Sequence, residues 1–195
     1  MPLHAAVAPA AKTILVVGDS LSAEYGLTRG SGWVALMDAR LRREHPGETV
    51  VNASISGDTT AGGLARLPTL LAQHKPGLVI LELGGNDALR GLPLATTKQN
   101  LVEMVRLAKA ARARVMIIGM QLPPNYGHAY SDRFAALFAE VAHAEATALV
   151  PFMLKGVADG PQAEQMFQAD RIHPLASAHP IILGNIWPVL QSLLK

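Results

Sequence analysis

The chain contains no cysteine among its 195 residues. That absence excludes disulfide bonds, thiolate metal sites and a cysteine nucleophile. No apolar run approaches the roughly 20 residues that a helix needs to span a bilayer, so we expect no stable insertion into a membrane. The full length of 195 residues supports one hydrophobic core and is short for two. We therefore expect a single domain over residues 12–195.

The chain also has little charge, with 16% charged residues and a formal net charge of +2 at pH 7. Its longest basic cluster, Arg40–Arg43, lies in a segment with helical spacing and is better explained as a solvated helix face than as a nucleic-acid site. Half of the residues are hydrophobic, which is typical of a globular protein. We therefore expect no nucleic-acid partner, and the oligomeric state stays open.

The first eleven residues, MPLHAAVAPAA, differ from the rest in their run of small side chains. Such a run is similar to the end of a secretory signal peptide, although the basic region and the long apolar region of a signal peptide are missing. We expect residues 1–11 to form a flexible leader and the protein to be periplasmic or secreted. The alternative is a cytoplasmic protein with a disordered N-terminal extension.

Short apolar runs alternate with helical patterns along the rest of the chain. The runs predict five strands buried on both faces: Thr13–Val17, Thr49–Val51, Leu78–Leu83, Val115–Met120 and Leu149–Phe152. Apolar residues spaced by three and four predict helices between and after them: Trp33–Arg43, Thr60–His74, Thr97–Arg112, Asp132–Thr147 and Ser177–Leu194. The alternation predicts an α/β protein, a three-layer α/β/α sandwich around a five-stranded parallel sheet of flavodoxin-like order.

Polar motifs follow the first three predicted strands. Ser20 lies in GDSLSAEYG, Gly57 in NASISGDT and Asn86 in GGND. Because ligands bind at the carboxyl ends of the strands in such sheets, we expect these motifs to meet at one edge. Each motif alone has an ordinary explanation as a helix cap or a turn, but those explanations do not account for three polar motifs at adjacent strand ends.

A fourth motif, DRIHP, supplies a candidate base for a serine nucleophile. A serine hydroxyl is weak until a base removes its proton, and histidine is the usual base near neutral pH. Among the seven histidines, only His173 combines a carboxylate three residues earlier, Asp170, with a proline directly after it. Asp170 can fix the tautomer of His173, so that Ser20, Asp170 and His173 form a candidate triad. The pair lacks the further ligands that a metal site needs.

Acyl transfer also needs hydrogen-bond donors for the oxyanion that develops on the substrate. The backbone N–H groups of Ser20 and Gly57 and the side-chain amide of Asn86 can converge on one carbonyl oxygen. Gly57 suits this role because no side chain blocks close approach.

Together and in this order, the four blocks resemble those of the SGNH (GDSL-type) hydrolases. Longer segments, such as VNASISGDTTAGGLARLP and LELGGNDALRGLP, are similar to the bacterial multifunctional acyl-CoA thioesterase/lysophospholipase/arylesterase branch. The resemblance implies a serine esterase/thioesterase that forms an acyl-enzyme from aryl esters, acyl-CoA or lysophospholipids, with no metal or organic cofactor. It also implies Ser20 as nucleophile, His173 as base, Asp170 as its partner, and an oxyanion hole of Ser20, Gly57 and Asn86.

Segments 121–130 and 156–169 are expected to border the acyl groove. The candidate substrate contacts are Asp19, Leu21, Pro123, Tyr126 and Ile172. We also expect Asp19 to shape the turn or to hold nearby backbone, and Ser22 to satisfy local backbone groups.

Two positions depart from the family pattern, which has glycine where this chain has Glu24 and Arg171. A positive φ at position 24 would strain glutamate, whereas a helical turn would place its carboxylate on the same face as Ser20. We expect Glu24 to lie at the solvated rim of the site that contains Ser20. Arg171 is expected to bring a positive charge beside the pocket.

Two other functions compete with the acyl-ester hydrolase. One is a carbohydrate O-acetyl esterase on the same fold. The other is a non-catalytic flavodoxin-like binding module, which GDSLSAEYG fits poorly because Asp19 and Glu24 would repel a bound phosphate.

Overall fold

The computed structural model describes residues 13–194 and confirms the α/β sandwich expected from the sequence. Its strands are β1 (Thr13–Gly18), β2 (Thr49–Asn52), β3 (Leu78–Glu82), β4 (Arg114–Ile118) and β5 (Ala148–Val150). Its α-helices are α1 (Trp33–Glu44), α2 (Thr60–His74), α3 (Gly85–Leu89), α4 (Leu94–Ala110), α5 (His128–Ala144) and α6 (His179–Leu193). The expected leader, residues 1–11, lies outside the described residues. No helix within residues 13–194 is both long and apolar enough to cross a bilayer.

The five strands form one parallel sheet in the order β2-β1-β3-β4-β5. Helix α1 packs against α6, while α4 packs against both α2 and α5, so that two groups of helices enclose the sheet. Every residue of β3 is buried, as the continuous apolar run predicts for a strand covered on both faces. The largest fully buried side chains are Trp33, Phe134 and Phe138.

Most predicted boundaries agree with the structure within two residues, and α2 agrees at both ends. Two helices begin earlier than predicted. Helix α4 starts at Leu94 after Pro93, and α5 starts at His128 after Gly127, whose φ is 84°. The first two residues of α5, His128 and Ala129, are exposed, and its fully buried apolar residues begin only at Phe134. Helix α3 was not predicted because five residues are too few to show a helical period.

The basic cluster lies on α1, where Arg40 pairs with Glu44 and Arg42 pairs with Asp38. Both pairs are four residues apart in the chain, which is the spacing that brings side chains together on a helix surface.

The sheet order explains how distant motifs meet. Because β1 lies between β2 and β3, the segments that follow these three strands leave the same edge of the sheet side by side. The register places Gly18 opposite Glu82 and Val16 opposite Asn52. The polar motifs after the three strands therefore begin at nearly the same level along the strand direction.

Candidate active site

Three of the predicted site residues form a continuous hydrogen-bonded line. The Oγ of Ser20 lies 2.8 Å from Nε2 of His173, and Nδ1 of the same ring lies 2.7 Å from Oδ2 of Asp170. Ser20 lies two residues after the end of β1, whereas the other two residues lie in the loop before α6. The structure thus brings together residues that are 153 positions apart in the chain.

The loop that carries Asp170 and His173 is a tight hairpin. An antiparallel bridge joins Phe167 to Pro174, and the N–H of Gln168 donates to the carbonyl oxygen of His173 at 2.8 Å. Arg171 occupies the left-handed region, with φ at 59°. The hairpin therefore requires at position 171 a backbone conformation that glycine adopts without strain.

Asp170 is held as a carboxylate by its own loop. Its Oδ1 accepts hydrogen bonds from the N–H groups of Ile172 and His173 at 2.9 and 3.0 Å. Partial desolvation acts to raise its pKa, but these bonds and the imidazole lower the pKa to about 2. A carboxylate only accepts hydrogen bonds, so it favours the tautomer with a proton on Nδ1 of His173. Nε2 is then free to accept the proton of Ser20.

Asn86 lies in α3, and its side-chain amide is oriented by Asp19. Nδ2 of Asn86 donates to Oδ2 of Asp19 at 2.9 Å, while Oδ1 of Asp19 accepts from the N–H of Leu21 at 3.0 Å. The expectation that Asp19 holds nearby backbone agrees with the second of these bonds. The amide of Asn86 has a second hydrogen, which is available to a substrate.

Gly57 lies in a turn at φ 79°, where a residue with a side chain would be strained. Its carbonyl oxygen accepts a hydrogen bond from Arg90 at 2.8 Å. No acceptor within residues 13–194 takes the N–H of either Gly57 or Ser20. Both donors are therefore free to bind an oxyanion.

Sequence reasoning missed a buried hydrogen-bond network around the carboxyl group of Glu82. Ser22 Oγ donates to Oε2 of Glu82 at 2.6 Å and accepts from Nε1 of Trp33 at 3.2 Å. The expectation that Ser22 satisfies local backbone groups is wrong, because its hydroxyl joins β3 to α1 instead. The signal was a carboxylate within the otherwise apolar run LVILEL.

Burial controls the protonation of this network. It raises the pKa of Asp19 to about 6. Burial, together with the charge of Asp19, raises the pKa of Glu82 well above its ordinary value. Two carboxyl groups in one dry region resist ionising together, so Glu82 retains its proton to a higher pH than an exposed glutamate.

Glu24 is not the solvated rim residue that the sequence suggested. Its φ is 59°, and its carboxylate accepts hydrogen bonds from the N–H groups of Gly30 and Gly32. The helical alternative is also wrong, because this φ is left-handed. The carboxylate is directed at the start of α1.

A cavity of about 560 Å³ opens beside Ser20, Asn86 and His173. Of the five predicted substrate contacts, all but one line it, namely Asp19, Leu21, Pro123 and Ile172. Tyr126 is not among the lining residues. Arg171 does line the cavity, in agreement with the expectation of a positive charge there.

Apolar side chains that sequence reasoning missed also line this cavity: Leu89, Met120, Phe152 and Leu154. The last three follow the ends of β4 and β5, so the strand-end rule could have found them. Within residues 13–194, no three histidine or carboxylate side chains are grouped to ligate a metal ion.

Ser20 contacts an imidazole that a carboxylate holds, and both Ser20 and the side chain of Asn86 line an apolar cavity. This arrangement is typical of a serine acyl hydrolase. Residues 16–181 match the GDSL-like Lipase/Acylhydrolase family. The chain belongs to this family, which confirms the resemblance inferred from the four sequence blocks.

Three comparisons place the chain within the family. It is 55% identical to the esterase TesA of Pseudomonas aeruginosa over 185 residues, which cover 95% of this chain and 90% of that protein. It is 42% identical to thioesterase 1/protease 1/lysophospholipase L1 of Escherichia coli K12 over 188 residues, covering 96% and 88%. The crystal structure of TesA superposes with a TM-score of 0.89 at 55% identity, covering 93% of this chain and 99% of that one. The protein is an ester hydrolase of the SGNH fold.

Proposed function

We propose that this enzyme hydrolyses acyl esters and thioesters through an acyl-enzyme formed on Ser20, with His173 as base and acid and Asp170 as its partner. The observation that carries the proposal is the pair of contacts made by His173. Its Nε2 lies 2.8 Å from the Oγ of Ser20, and its Nδ1 lies 2.7 Å from Asp170. Both distances fall within the range for direct proton transfer or hydrogen bonding.

In the first half-reaction, Ser20 Oγ attacks the acyl carbonyl carbon while Nε2 of His173 takes the hydroxyl proton. The carbonyl electron pair moves onto oxygen, and the resulting oxyanion accepts hydrogen bonds from the N–H groups of Ser20 and Gly57 and from Asn86. Asp170 stabilises the imidazolium. When the tetrahedral intermediate collapses, the imidazolium protonates the leaving alcohol or thiol.

In the second half-reaction, His173 removes a proton from water, which attacks the acyl-enzyme. The same donors hold the second oxyanion. Collapse returns the proton to Ser20 Oγ and releases the carboxylic acid. Asp170 stays ionised throughout, because its pKa of about 2 lies far below neutral pH.

The cavity supports acyl groups longer than acetyl. Its volume of about 560 Å³ and its apolar walls fit a hydrocarbon chain, whose burial stabilises a complex by about 0.8 kcal/mol per CH₂. A carbohydrate O-acetyl esterase needs little of this apolar surface. The names of the relatives, an esterase and a thioesterase/lysophospholipase, support esters, thioesters and lysophospholipids as the substrate class.

The experiment compares wild type with Ser20→Ala on a chain-length series of p-nitrophenyl esters and acyl-CoA thioesters. Ser20→Ala should lose turnover on every substrate while remaining folded. Ser192→Ala, an exposed serine in α6, is the matched control and should behave as wild type. Hydrolysis that survives Ser20→Ala contradicts the proposal, and wild-type protein that a serine-directed organophosphonate does not label supports a binding module instead.

A further inference from the structure

Ser20 and His173 reach the site from two separate loops. The nucleophile loop comprises residues 19–32, between β1 and α1, and the histidine loop comprises residues 166–175, before α6. A hydrogen bond between a hydroxyl and an imidazole forms only when the two loops are held at the correct separation. A misplacement of about 1 Å can cost about 100-fold in rate. The structure therefore requires a physical connection between the loops.

The side chain of Gln168 makes such a connection. Its Nε2 donates to the carbonyl oxygen of Tyr25 in the nucleophile loop at 2.9 Å and to that of Pro174 in the histidine loop at 3.2 Å. A primary amide nitrogen carries two hydrogens, so both are used. The side chain of Gln168 thus binds backbone carbonyl oxygens of both the nucleophile loop and the histidine loop.

Both anchoring points lie close to the reacting groups. The N–H of Tyr25 donates to the carbonyl oxygen of Ser20 at 3.3 Å, and Pro174 directly follows His173 in the chain. The ring of Tyr25 also packs against the imidazole, with centroids 4.3 Å apart and an angle of 38° between planes. Displacement of the Tyr25 backbone would therefore move the nucleophile turn and the face of the imidazole together.

The nucleophile loop is shaped to receive the Gln168 amide. Gly26 has φ at 70°, and a Cβ at this position would overlap Oε1 of Gln168. Glycine is thus required there by backbone conformation and by the close approach of the Gln168 side chain. The nucleophile loop therefore leaves space at Gly26 for the side-chain amide of Gln168.

The backbone of Gln168 fixes the other side. Its N–H donates to the carbonyl oxygen of His173 at 2.8 Å, and its carbonyl oxygen accepts from the N–H of Arg171 at 2.9 Å. Gln168 is half-buried and is not among the residues that line the substrate cavity. It is therefore placed to affect the alignment of Ser20 with His173 and not the binding of substrate.

We propose that Gln168 is a positioning residue that fastens the nucleophile loop to the histidine loop and so sets the distance between Ser20 and His173. The proposal rests on the catalytic roles assigned above to these two residues. It requires that the loss of the amide donors lower kcat and the rate at which Ser20 is acylated. KM should stay nearly constant, because the cavity walls are unchanged.

The test uses Gln168→Leu and Gln168→Met, which retain similar volume and lack both N–H donors. Each variant is compared with wild type for kcat and KM on a p-nitrophenyl ester, for the rate of labelling by a serine-directed organophosphonate, and for thermal unfolding. Gln165→Leu is the matched control, since Gln165 is an exposed glutamine three residues earlier. We expect kcat and the labelling rate to fall together by about 10- to 100-fold. KM should change less than about twofold and Gln165→Leu should equal wild type.

The kinetics of the Gln168 variants test the positioning role, and the activity of Ser20→Ala tests the proposed function separately. A kcat within twofold of wild type in a folded Gln168 variant overturns the positioning role, as does a change confined to KM. If Gln168→Leu does not fold, Gln168→Met decides by the same measurements, and failure of both to fold shows that Gln168 serves stability instead. Activity that persists in Ser20→Ala refutes the proposed function itself, so the two failures are distinguishable.

Discussion

Oε1 of Glu24 accepts a hydrogen bond from the N–H of Gly32 at 2.7 Å. Gly32 is the N-cap of α1 and has no side chain with which to cap the helix. The carboxylate of Glu24 therefore supplies, from eight residues earlier, the acceptor and the negative charge that stabilise a helix N-terminus. This contact accounts for a glutamate at a positive φ, because the bonds gained offset the strain of the left-handed conformation.

We expect Glu24→Ala to lower the free energy of unfolding by about 1–3 kcal/mol, since it removes hydrogen bonds to a charged acceptor and leaves the strained φ in place. Urea denaturation measures the change. Glu103→Ala, at an exposed position on α4, is the control and should change stability by less than about 0.5 kcal/mol. Equal effects of the two substitutions would show that the contact with α1 contributes nothing.

Arg171 has the same left-handed backbone as Glu24, with φ at 59°, but no comparable contact explains its side chain. We expect Arg171→Gly to raise the free energy of unfolding by about 0.5–1 kcal/mol, because relief of the left-handed strain exceeds the entropy that glycine loses on folding. Arg171→Ala keeps the strain and serves as the control. A gain of equal size in both variants would assign the effect to charge and not to φ.

We expect Asn86→Ala to lower kcat by about 10²- to 10³-fold, the usual effect of removing one oxyanion donor. KM should change little, because the amide binds the oxyanion more tightly than the ground-state carbonyl. Steady-state kinetics on a p-nitrophenyl ester measures both constants. A change in KM alone would place Asn86 in substrate binding instead.

Asp170→Asn should lower kcat by up to about 10⁴-fold, because an amide can stabilise the wrong tautomer of His173 and cannot stabilise the imidazolium as a carboxylate does. The measurement is kcat at neutral pH, where wild-type Asp170 is ionised since its pKa is about 2. Asp132→Asn, at an exposed position on α5 that does not line the cavity, is the control. A loss of similar size in both variants would indicate a general effect on folding.

The buried carboxyl of Glu82 has a pKa raised by burial and by the charge of Asp19. As pH rises above the ordinary value of 4.5, the unfolded chain loses this proton while the folded chain keeps it. The folded state then binds more protons than the unfolded state, so stability falls with rising pH until the folded group also ionises. We expect Glu82→Gln to reduce this decline, measured as unfolding free energy from pH 4 to pH 8, and the exposed Glu103→Gln to leave it unchanged.

Sequence reasoning predicted the fold correctly and selected residues that the structure brings together, because both depend on simple patterns. Five apolar runs with helical segments between them specify a parallel sheet, and adjacent strand ends bring Ser20, Gly57 and Asn86 to one edge. Glu82 could not be assigned a role, because a carboxylate in an apolar strand shows only that a polar partner exists, not which one. The partner, Ser22, became visible only when β1 and β3 were aligned.

Backbone conformation was the other source of error. Whether position 24 has positive φ could not be decided from its neighbours, so the strained alternative competed with a helical one. The decisive contacts run from Glu24 to Gly30 and Gly32, and they depend on how the following loop folds back. The contact made by the side chain of Gln168 could not be predicted either, because its partner Tyr25 is 143 positions away in the chain.

The proposed nucleophile, Ser20, lies just after β1, and the proposed base, His173, lies in the loop before α6, 153 positions later in the chain. A chain emerging from the ribosome exposes Ser20 early but cannot pair it with an imidazole until the final segment has been synthesised. On the mechanism proposed above, we expect chains that end before residue 173 to be inert toward esters, because they lack the imidazole that would activate Ser20.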